Sequence, residues 1–361
     1  MKFLIFLQGE GRGHMTQAVT ISTLLKEDGH TVQEIIVGNT RNRVIPQFFF
    51  KSAGATVSSY ITPEFAYLKD GKRVSIFKTI LKNFSLPRIY SVLQSVKYIK
   101  GKVEEHRPDI VINLYEPLFG LYLLIYKPKN KIISIAHQFM IFAKGSPYGK
   151  GVKGKLLLKI LSALCKSRSS VTLAISAYPW MNNEKCNIKI IPPLLRKEVM
   201  SLNPYDGGYL LCYILNRGFA ADLISWHNSN KSIKIHAFWD NYDVPDELIY
   251  NENLVFHHID DIKFLRYFEG CSGFITTSGF ESICEAGYLG KPVLMTPVHI
   301  EQKINAKEFE YLNLGIVSNE INPSLLLDFI QKEKGKNDNF IFRNRINSSE
   351  RVFMDSIYSL I

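Results

Sequence analysis

The chain has 361 residues, 46% hydrophobic and 21% charged, which excludes a disordered chain and leaves room for two cores. No apolar run reaches the roughly 18 residues of a membrane-spanning helix. The net charge of +11 is uneven: residues 1–192 carry 28 Lys and Arg against 11 Asp and Glu, residues 193–361 carry 16 against 22.

Residues 2–8, KFLIFLQ, read as a buried parallel-sheet strand leading straight into a glycine loop, rather than as a signal peptide. From Thr16 the spacing of Ala18, Ile21, Leu24 and Leu25 predicts a helix that Gly29 closes. TVQEIIVG, ATVSSY, PDIVINLY, KIISIAHQ, VTLAIS and IKIIPP follow as strands. Pro192-Pro193 marks a domain boundary, because a proline pair continues neither helix nor strand. The pattern then restarts with GYLLCYILN, a helix near FAADLISWHN, SIKIHAF, NLVFHHI, GFITTS and KPVLMTP. Strands alternating with helices predict α/β architecture, two Rossmann-like doubly wound sheets. The expected domains are 1–192, 193–340 and a terminal amphipathic helix in 341–361 that packs back on the N-terminal domain.

Between Pro117 and Asn183 there are ten basic residues and no acidic one. Such one-sided charge predicts an anionic partner for the first half: a membrane surface, an anionic acceptor or nucleic acid. Nucleic acid is not expected, since no recognised motif is present and aromatic residues do not interleave with the basic clusters. Two stretches, 68–102 and 150–168, mix Lys and Arg with apolar residues at helical spacing. They read either as ordinary amphipathic helices or as a surface for anionic lipid headgroups. The five cysteines lack metal-ligand spacing and are expected as free thiols in a reducing cytoplasm.

The first loop is GEGRGH. Gly9, Gly11 and Gly13 allow close backbone approach, and a helix N-terminus follows. The dinucleotide fingerprint fails, because His14 occupies the place of its third glycine. A histidine above the strand ends suits a general base near neutral pH, with a surface or capping histidine as the plain alternative. Glu116, ending the strand PDIVINLY, is the candidate to orient it, and His137 is a candidate for acceptor binding. No Asp-x-Asp pair occurs, so no metal site is expected; Asp260-Asp261 read as loop residues.

Residues 276–306 hold a second cluster. A strand runs into a Ser278-Gly279 turn, and a helix from about Phe280 offers free N–H groups and the Ser282 hydroxyl for a phosphate. Glu285 is spaced to take ribose hydroxyls, and the strand PVLMTP delivers Glu301 and Gln302 toward sugar hydroxyls.

This segment resembles the donor-binding motif of nucleotide-sugar glycosyltransferases of the GT-B fold, closest to glycosyltransferase families 28 and 1. The matching positions are Ser282, Glu285, Ala286, Gly290, Pro292, Pro297, Glu301, Gln302, Asn305 and Ala306. The GxGxGH loop resembles the acceptor-side loop of the same families. The resemblance implies two Rossmann-like domains facing across a cleft and an inverting, metal-independent enzyme. It implies that Ser278, Gly279 and Ser282 hold a diphosphate, that Glu285 holds ribose and that Glu301 and Gln302 read the sugar. The loop at His258-Ile259 meets the nucleobase, with Asn216 also on the donor side, and Gly11, Gly13 and His137 serve the acceptor side around the base His14. The implied donor, a UDP-sugar, is a substrate, so no cofactor is expected. The acceptor is a hydroxyl on a lipid-linked, glycan or small molecule. A role in bacterial envelope, glycolipid or polysaccharide synthesis is implied, in the cytoplasm, with peripheral attachment to the inner face of the membrane as the sharper expectation. Thr277, Glu281 and Glu301 depart from the residues common in UDP-glycosyltransferases. A UDP-sugar 2-epimerase and a non-catalytic nucleotide-sugar-binding protein are the alternatives on the same fold.

Overall fold

The computed structural model describes residues 1–41, 43–63, 85–146, 155–214, 218–333 and 340–360. The chain divides into two units, the first running to Arg196 and resuming at Asn347, the second comprising Lys197–Ile346.

In the first unit the elements are β1 (Lys2–Gln8), α1 (Arg12–Glu27), β2 (Thr31–Asn39), α2 (Gln47–Ser52), β3 (Thr56–Ile61), α3 (Leu86–His106), β4 (Ile110–Leu114), α4 (Pro117–Tyr126), β5 (Lys131–Ala136), α5 (Lys155–Cys165), β6 (Val171–Ile175) and β7 (Ile188–Ile191). The strands form one parallel sheet in the order β3-β2-β1-β4-β5-β6-β7. Phe3 to Leu7 are fully buried, as a strand covered on both faces requires. Leu4 and Phe6 pack with Val96 and Ile99 of α3 and with Phe119 of α4, the Phe6 and Phe119 rings stacking at 4.6 Å.

The second unit contains α6 (Lys197–Met200), β8 (Leu210–Ile214), α7 (Gly218–Asn228), β9 (Ile235–Trp239), β10 (Glu247–Asn251), β11 (Leu254–His258), α8 (Asp261–Gly270), β12 (Gly273–Thr276), α9 (Phe280–Leu289), β13 (Val293–Met295), α10 (Ile300–Tyr311), β14 (Gly315–Val317), α11 (Pro323–Glu333) and α12 (Phe340–Asn347). Its sheet order is β10-β11-β9-β8-β12-β13-β14, parallel except for the edge strand β10. Both sheets therefore reverse strand order beside their first strand, between β1 and β4 and between β8 and β12. That is where doubly wound sheets open a crevice for ligands.

Several boundaries differ from the sequence reading. Helix α1 begins at Arg12, not Thr16, because Gly11 turns the chain at φ 100° and the first helical turn is polar. The terminal segment is two helices, α12 and α13 (Ser349–Tyr358), broken at Ser348. Asn347, Ser348 and Ser349 are poor helix formers, so the break costs little. Helix α12 belongs to the second unit and α13 to the first, where the Tyr358 hydroxyl donates to Asp28. Strands β10 and β14 were not foreseen: one is a largely exposed edge and the other is three residues long.

Helices α4 and α5 approach closely at Gly120, where an added Cβ would lie 2.2 Å from the Leu164 carbonyl oxygen. Backbone cannot yield as a side chain does. Gly120→Ala is expected to cost roughly 1–3 kcal/mol from overpacking, read as a lower urea midpoint with an unchanged slope.

Candidate active site

The first cluster sits at the C-terminal edge of the first sheet. The Gly9 N–H donates to Gly38 O at 2.7 Å, and a Cβ on Gly9 would meet that same oxygen at 2.8 Å. Gly11 supplies the left-handed turn, and Gly13 and His14 fall in the first turn of α1. His14 is half-buried. Its ring lies nearly parallel to Tyr115 at 6.3 Å and to His137 at 6.4 Å. Three strand ends, those of β1, β4 and β5, thus bring His14, Tyr115 and His137 together.

Tyr115 was missed by sequence reasoning. It is buried, holds φ 56°, and its hydroxyl bonds Ser162 at 2.8 Å. A left-handed aromatic residue costs roughly 1–2 kcal/mol and persists only where its surroundings over-determine it. Its place at a strand end was the single signal in the sequence.

Glu116 has a different task from the one expected. Its Oε2 accepts from Phe119 N at 2.7 Å, capping α4, and its own N–H donates to Asn113 Oδ1 at 2.9 Å. Its Oε1 lies 2.6 Å from where a Cβ on Gly38 would sit, so glycine is needed there. Burial pushes the carboxyl up to about 7, against the opposing hydrogen bonds. Among the described residues, neither Oε1 nor the Tyr60 hydroxyl reaches hydrogen-bond geometry, so the opposing bonds that hold are those from the backbone. Glu116 is a buried helix cap, not the orienting carboxylate of His14.

The second cluster lies after β12. Ser278 takes φ 70°, so the turn is made by serine rather than by Gly279, which stays at φ −59°. Ser278 is fully buried, and among the described residues its Oγ has no hydrogen-bond partner. Helix α9 begins behind it without a side-chain cap, and the Ser282 Oγ donates to Gly279 O at 3.0 Å. Helix α10 braces the turn. The Asn305 amide donates to Ser278 O at 3.2 Å, and the Gln302 amide donates to Thr277 Oγ1 at 3.3 Å. Gln302 Oε1 also accepts from Val298 N at 2.9 Å. The amide expected to read a sugar is therefore committed to holding the turn. Glu285 is buried in α9, and Glu301 is half-buried in the first turn of α10.

Ile259 is half-buried in the loop between β11 and α8. Asp260 is not a plain loop residue: its carboxylate caps α8 by accepting from Lys263 N at 2.7 Å, and Asp261 is the first residue of that helix. Under this loop His236 and His257 share a 3.0 Å hydrogen bond, and burial first, then neighbouring cations, pulls both down to about 4. Asn216, residues 68–84 of the first basic stretch and 150–154 of the second lie outside the described residues. Among the described residues, no group of three or more His, Cys, Asp or Glu side chains is placed to hold a metal ion. All five cysteines are free.

The family model of glycosyl transferase family 1 matches residues 1–333. A UDP-N-acetylglucosamine–N-acetylmuramyl-(pentapeptide) pyrophosphoryl-undecaprenol N-acetylglucosamine transferase of Clostridium tetani is 24% identical, over all of this chain and 98% of its own length. An uncharacterized glycosyltransferase of Methanosarcina acetivorans is 24% identical over 87% of this chain and 83% of its own. Among solved structures, the glycotransferase of kitacinnamycin has a TM-score of 0.66 at 12% identity, covering 99% of this chain and 98% of that one. The spinosyn rhamnosyltransferase complexed with thymidine diphosphate has a TM-score of 0.61 at 12% identity, covering 99% and 100%. These structures share the fold of both units.

The position of Glu116 carries a pH signature. Its folded-state value, about 7, is raised above the model-peptide value of 4.5. The folded protein therefore holds a proton that the unfolded chain releases, and stability falls as pH rises from about 4.5 through about 7. The full shift corresponds to about 3 kcal/mol. Glu116→Gln keeps the cap to Phe119 N without the charge. Thermal melts from pH 5 to 8 are expected to show a flatter profile for the variant and a higher Tm than the parent at pH 8.

Proposed function

The chain belongs to glycosyl transferase family 1 and is a glycosyltransferase acting on a nucleotide-sugar, and from that premise we propose a UDP-sugar donor, a hydroxyl acceptor, and metal-independent transfer with inversion at the anomeric carbon. The role proposed is in bacterial envelope, glycolipid or polysaccharide synthesis.

The observation that carries the donor assignment is the turn at Ser278. A fully buried hydroxyl with no partner is costly, and here it sits in a left-handed turn ahead of an uncapped helix. A diphosphate supplies the missing acceptor oxygens, and the N-terminal N–H groups of α9 meet its charge. Glu285 then takes the ribose, the backbone at Ile259 the nucleobase, and Glu301 the sugar. Gln302 serves this site by holding the turn.

His14 is the base. As the acceptor oxygen bonds to the anomeric carbon, the bond from that carbon to the diphosphate oxygen breaks, and the acceptor's proton passes to the imidazole. Charge develops on the leaving diphosphate, where oriented backbone N–H groups stabilise it without reorganising. Tyr115 and His137, flanking His14, form the wall against which the acceptor lies.

A membrane-facing role for the first unit draws on α5. Leu156, Leu157 and Ile160 are exposed there, beside Lys155 and Lys159. No helix among the described residues is long and apolar enough to cross a membrane. The proposed attachment is interfacial, with apolar side chains in the headgroup boundary and lysines on anionic lipid.

Three measurements test this reading. His14→Ala is expected to lower kcat/KM by about 10²- to 10⁴-fold while leaving the thermal shift given by UDP unchanged. Glu285→Ala is expected to abolish that shift; a shift of equal size in the variant removes the ribose assignment. Co-sedimentation with anionic vesicles at low salt is expected for the parent and weakened by Lys155→Glu with Lys159→Glu; no binding by the parent would overturn the membrane role.

A further inference from the structure

The end of β4 carries a carboxyl that the proposed mechanism does not use. Glu116 is fully buried, with Oε2 taken by Phe119 N and Oε1 without a hydrogen-bond partner among the described residues. Against Oε1 lies bare main chain: a Cβ on Gly38 would stand 2.6 Å from this oxygen and 2.6 Å from Thr62 Cγ2. The titratable groups that face the carboxyl are the Tyr60 hydroxyl, from β3, and the Cys165 thiol, which ends α5. Burial raises both, so each stays neutral and neither can pair with a carboxylate as a cation would. From β4 the Asn113 side chain accepts from Glu116 N, and β2 presents Gly38, which has no side chain.

Two connections run from this carboxyl to His14. The first passes through Gly38, whose carbonyl accepts from Gly9 N at 2.7 Å. A Cβ on Gly9 would meet Gly38 O at 2.8 Å and Asn39 Oδ1 at 3.0 Å, so the end of β2 grips the first glycine of the loop that leads to His14. Asn39 is itself held, its carbonyl accepting from Thr62 N at 3.0 Å. The second connection is the peptide between Glu116 and Tyr115. Tyr115 holds φ 56° and places its ring 6.3 Å from that of His14, while Glu116 N donates to Asn113 Oδ1 at 2.9 Å.

A neutral acid suits this place and a carboxylate does not. An ionised Oε1 is a buried charge with no cation and no donor, and such a group must shed its charge or gain water. Burial places the ionisation at about 7, so the choice is made near neutral pH. The wall nearest to Oε1 is Gly38, and water admitted there parts Gly38 from the carboxyl and pulls on the Gly9 bond. We propose that Glu116 is a positioning residue that makes the His14 loop pH-sensitive: protonated, it packs under Gly38 and the Gly9–Gly38 bond is closed; ionised, it opens that bond and loosens the loop. Transfer then falls on the acid side because a base must be unprotonated, and on the alkaline side because Glu116 releases the loop that positions the base. This consequence for catalysis rests on the glycosyltransferase reading.

The test reads the loop and needs no substrate, so its outcome is separate from that of the glycosyltransferase reading. Deuterium uptake of the full chain is followed by mass spectrometry in peptides covering residues 7–14 and 34–41, from about pH 6 to about pH 8.5, each rate divided by the intrinsic exchange rate at that pH. In the parent, protection of both peptides is expected to fall about tenfold across this range, while peptides covering β6 and β12 keep theirs. In Glu116→Gln, which retains the cap and cannot ionise, protection is expected to stay at the parent's low-pH level throughout. In His14→Ala the fall is expected to remain, which assigns it to Glu116 rather than to the imidazole. Constant protection in the parent, a fall shared by β6 and β12, a fall of equal size in Glu116→Gln, or its loss in His14→Ala overturns the proposal. Should Glu116→Gln not fold, the parent and His14→Ala still decide: a fall confined to the two peptides in both proteins upholds it, and a flat profile in either overturns it.

Discussion

Burial of both faces of two parallel sheets is the constraint on which the rest depends. β1 and β4 lie within the apolar interior, as do β9 and β12, so a polar side chain inside a strand is costly unless it is hydrogen-bonded. Asn113 shows the cost of an exception. It is fully buried in β4 and uses both ends of its amide, accepting from Glu116 N and donating to Cys165 O at 2.7 Å. Ser134 in β5 also donates to Cys165 O, at 3.1 Å. The few polar groups inside the sheet are thus spent on pinning the end of α5. Groups available for chemistry are displaced to the strand ends, where the chain turns and backbone N–H groups are free.

At those ends the polar residues divide into groups that build and groups that bind. Glu116 builds, since its carboxyl caps α4 and packs under Gly38. Gln302 and Asn305 build, since their amides hold the Thr277–Gly279 turn from α10. Ser278 is what they hold, and its hydroxyl has no hydrogen-bond partner among the described residues. The first sheet repeats the arrangement with different residues: the Gly9 to Gly38 hydrogen bond and the strained Tyr115 fix the surroundings in which His14 stands. In both units the side chain proposed to react or bind is held in place by other side chains packed around it.

The strands of both sheets were legible because continuous apolar runs bounded by Gly, Pro and polar clusters have few alternatives. The exposed edge β10 and the short β14 lack that signal. The helix from Arg12 was read four residues late, because a polar first turn hides from any reading of apolar spacing. For the site, the sequence showed that His14 and the Ser278 turn stand at strand ends, where the structure also places them. The site was not legible where a side chain's direction decides. Glu116 and Gln302 look like site residues by position, and a sequence does not show that the carboxyl turns to Phe119 N or the amide to Thr277. Nor does it show that Tyr115 is left-handed, since nothing in an aromatic residue favours that conformation.

The distribution of charge bears on how the two ligands are held. The second half of the chain is net acidic, yet it carries the turn assigned to a diphosphate. No cation within that turn offsets this. Lys291, at the far end of α9, is buried and its ammonium is spent on the carbonyls of Tyr205 and Cys271, both at 2.7 Å. Burial pulls it below the usual lysine range. A diphosphate, as proposed there, would be met by dipoles rather than by a salt bridge. Dipoles fixed by the fold stabilise developing charge without binding a full dianion so tightly that release becomes slow. On that proposal the donor does not call on the basic residues concentrated in the first half.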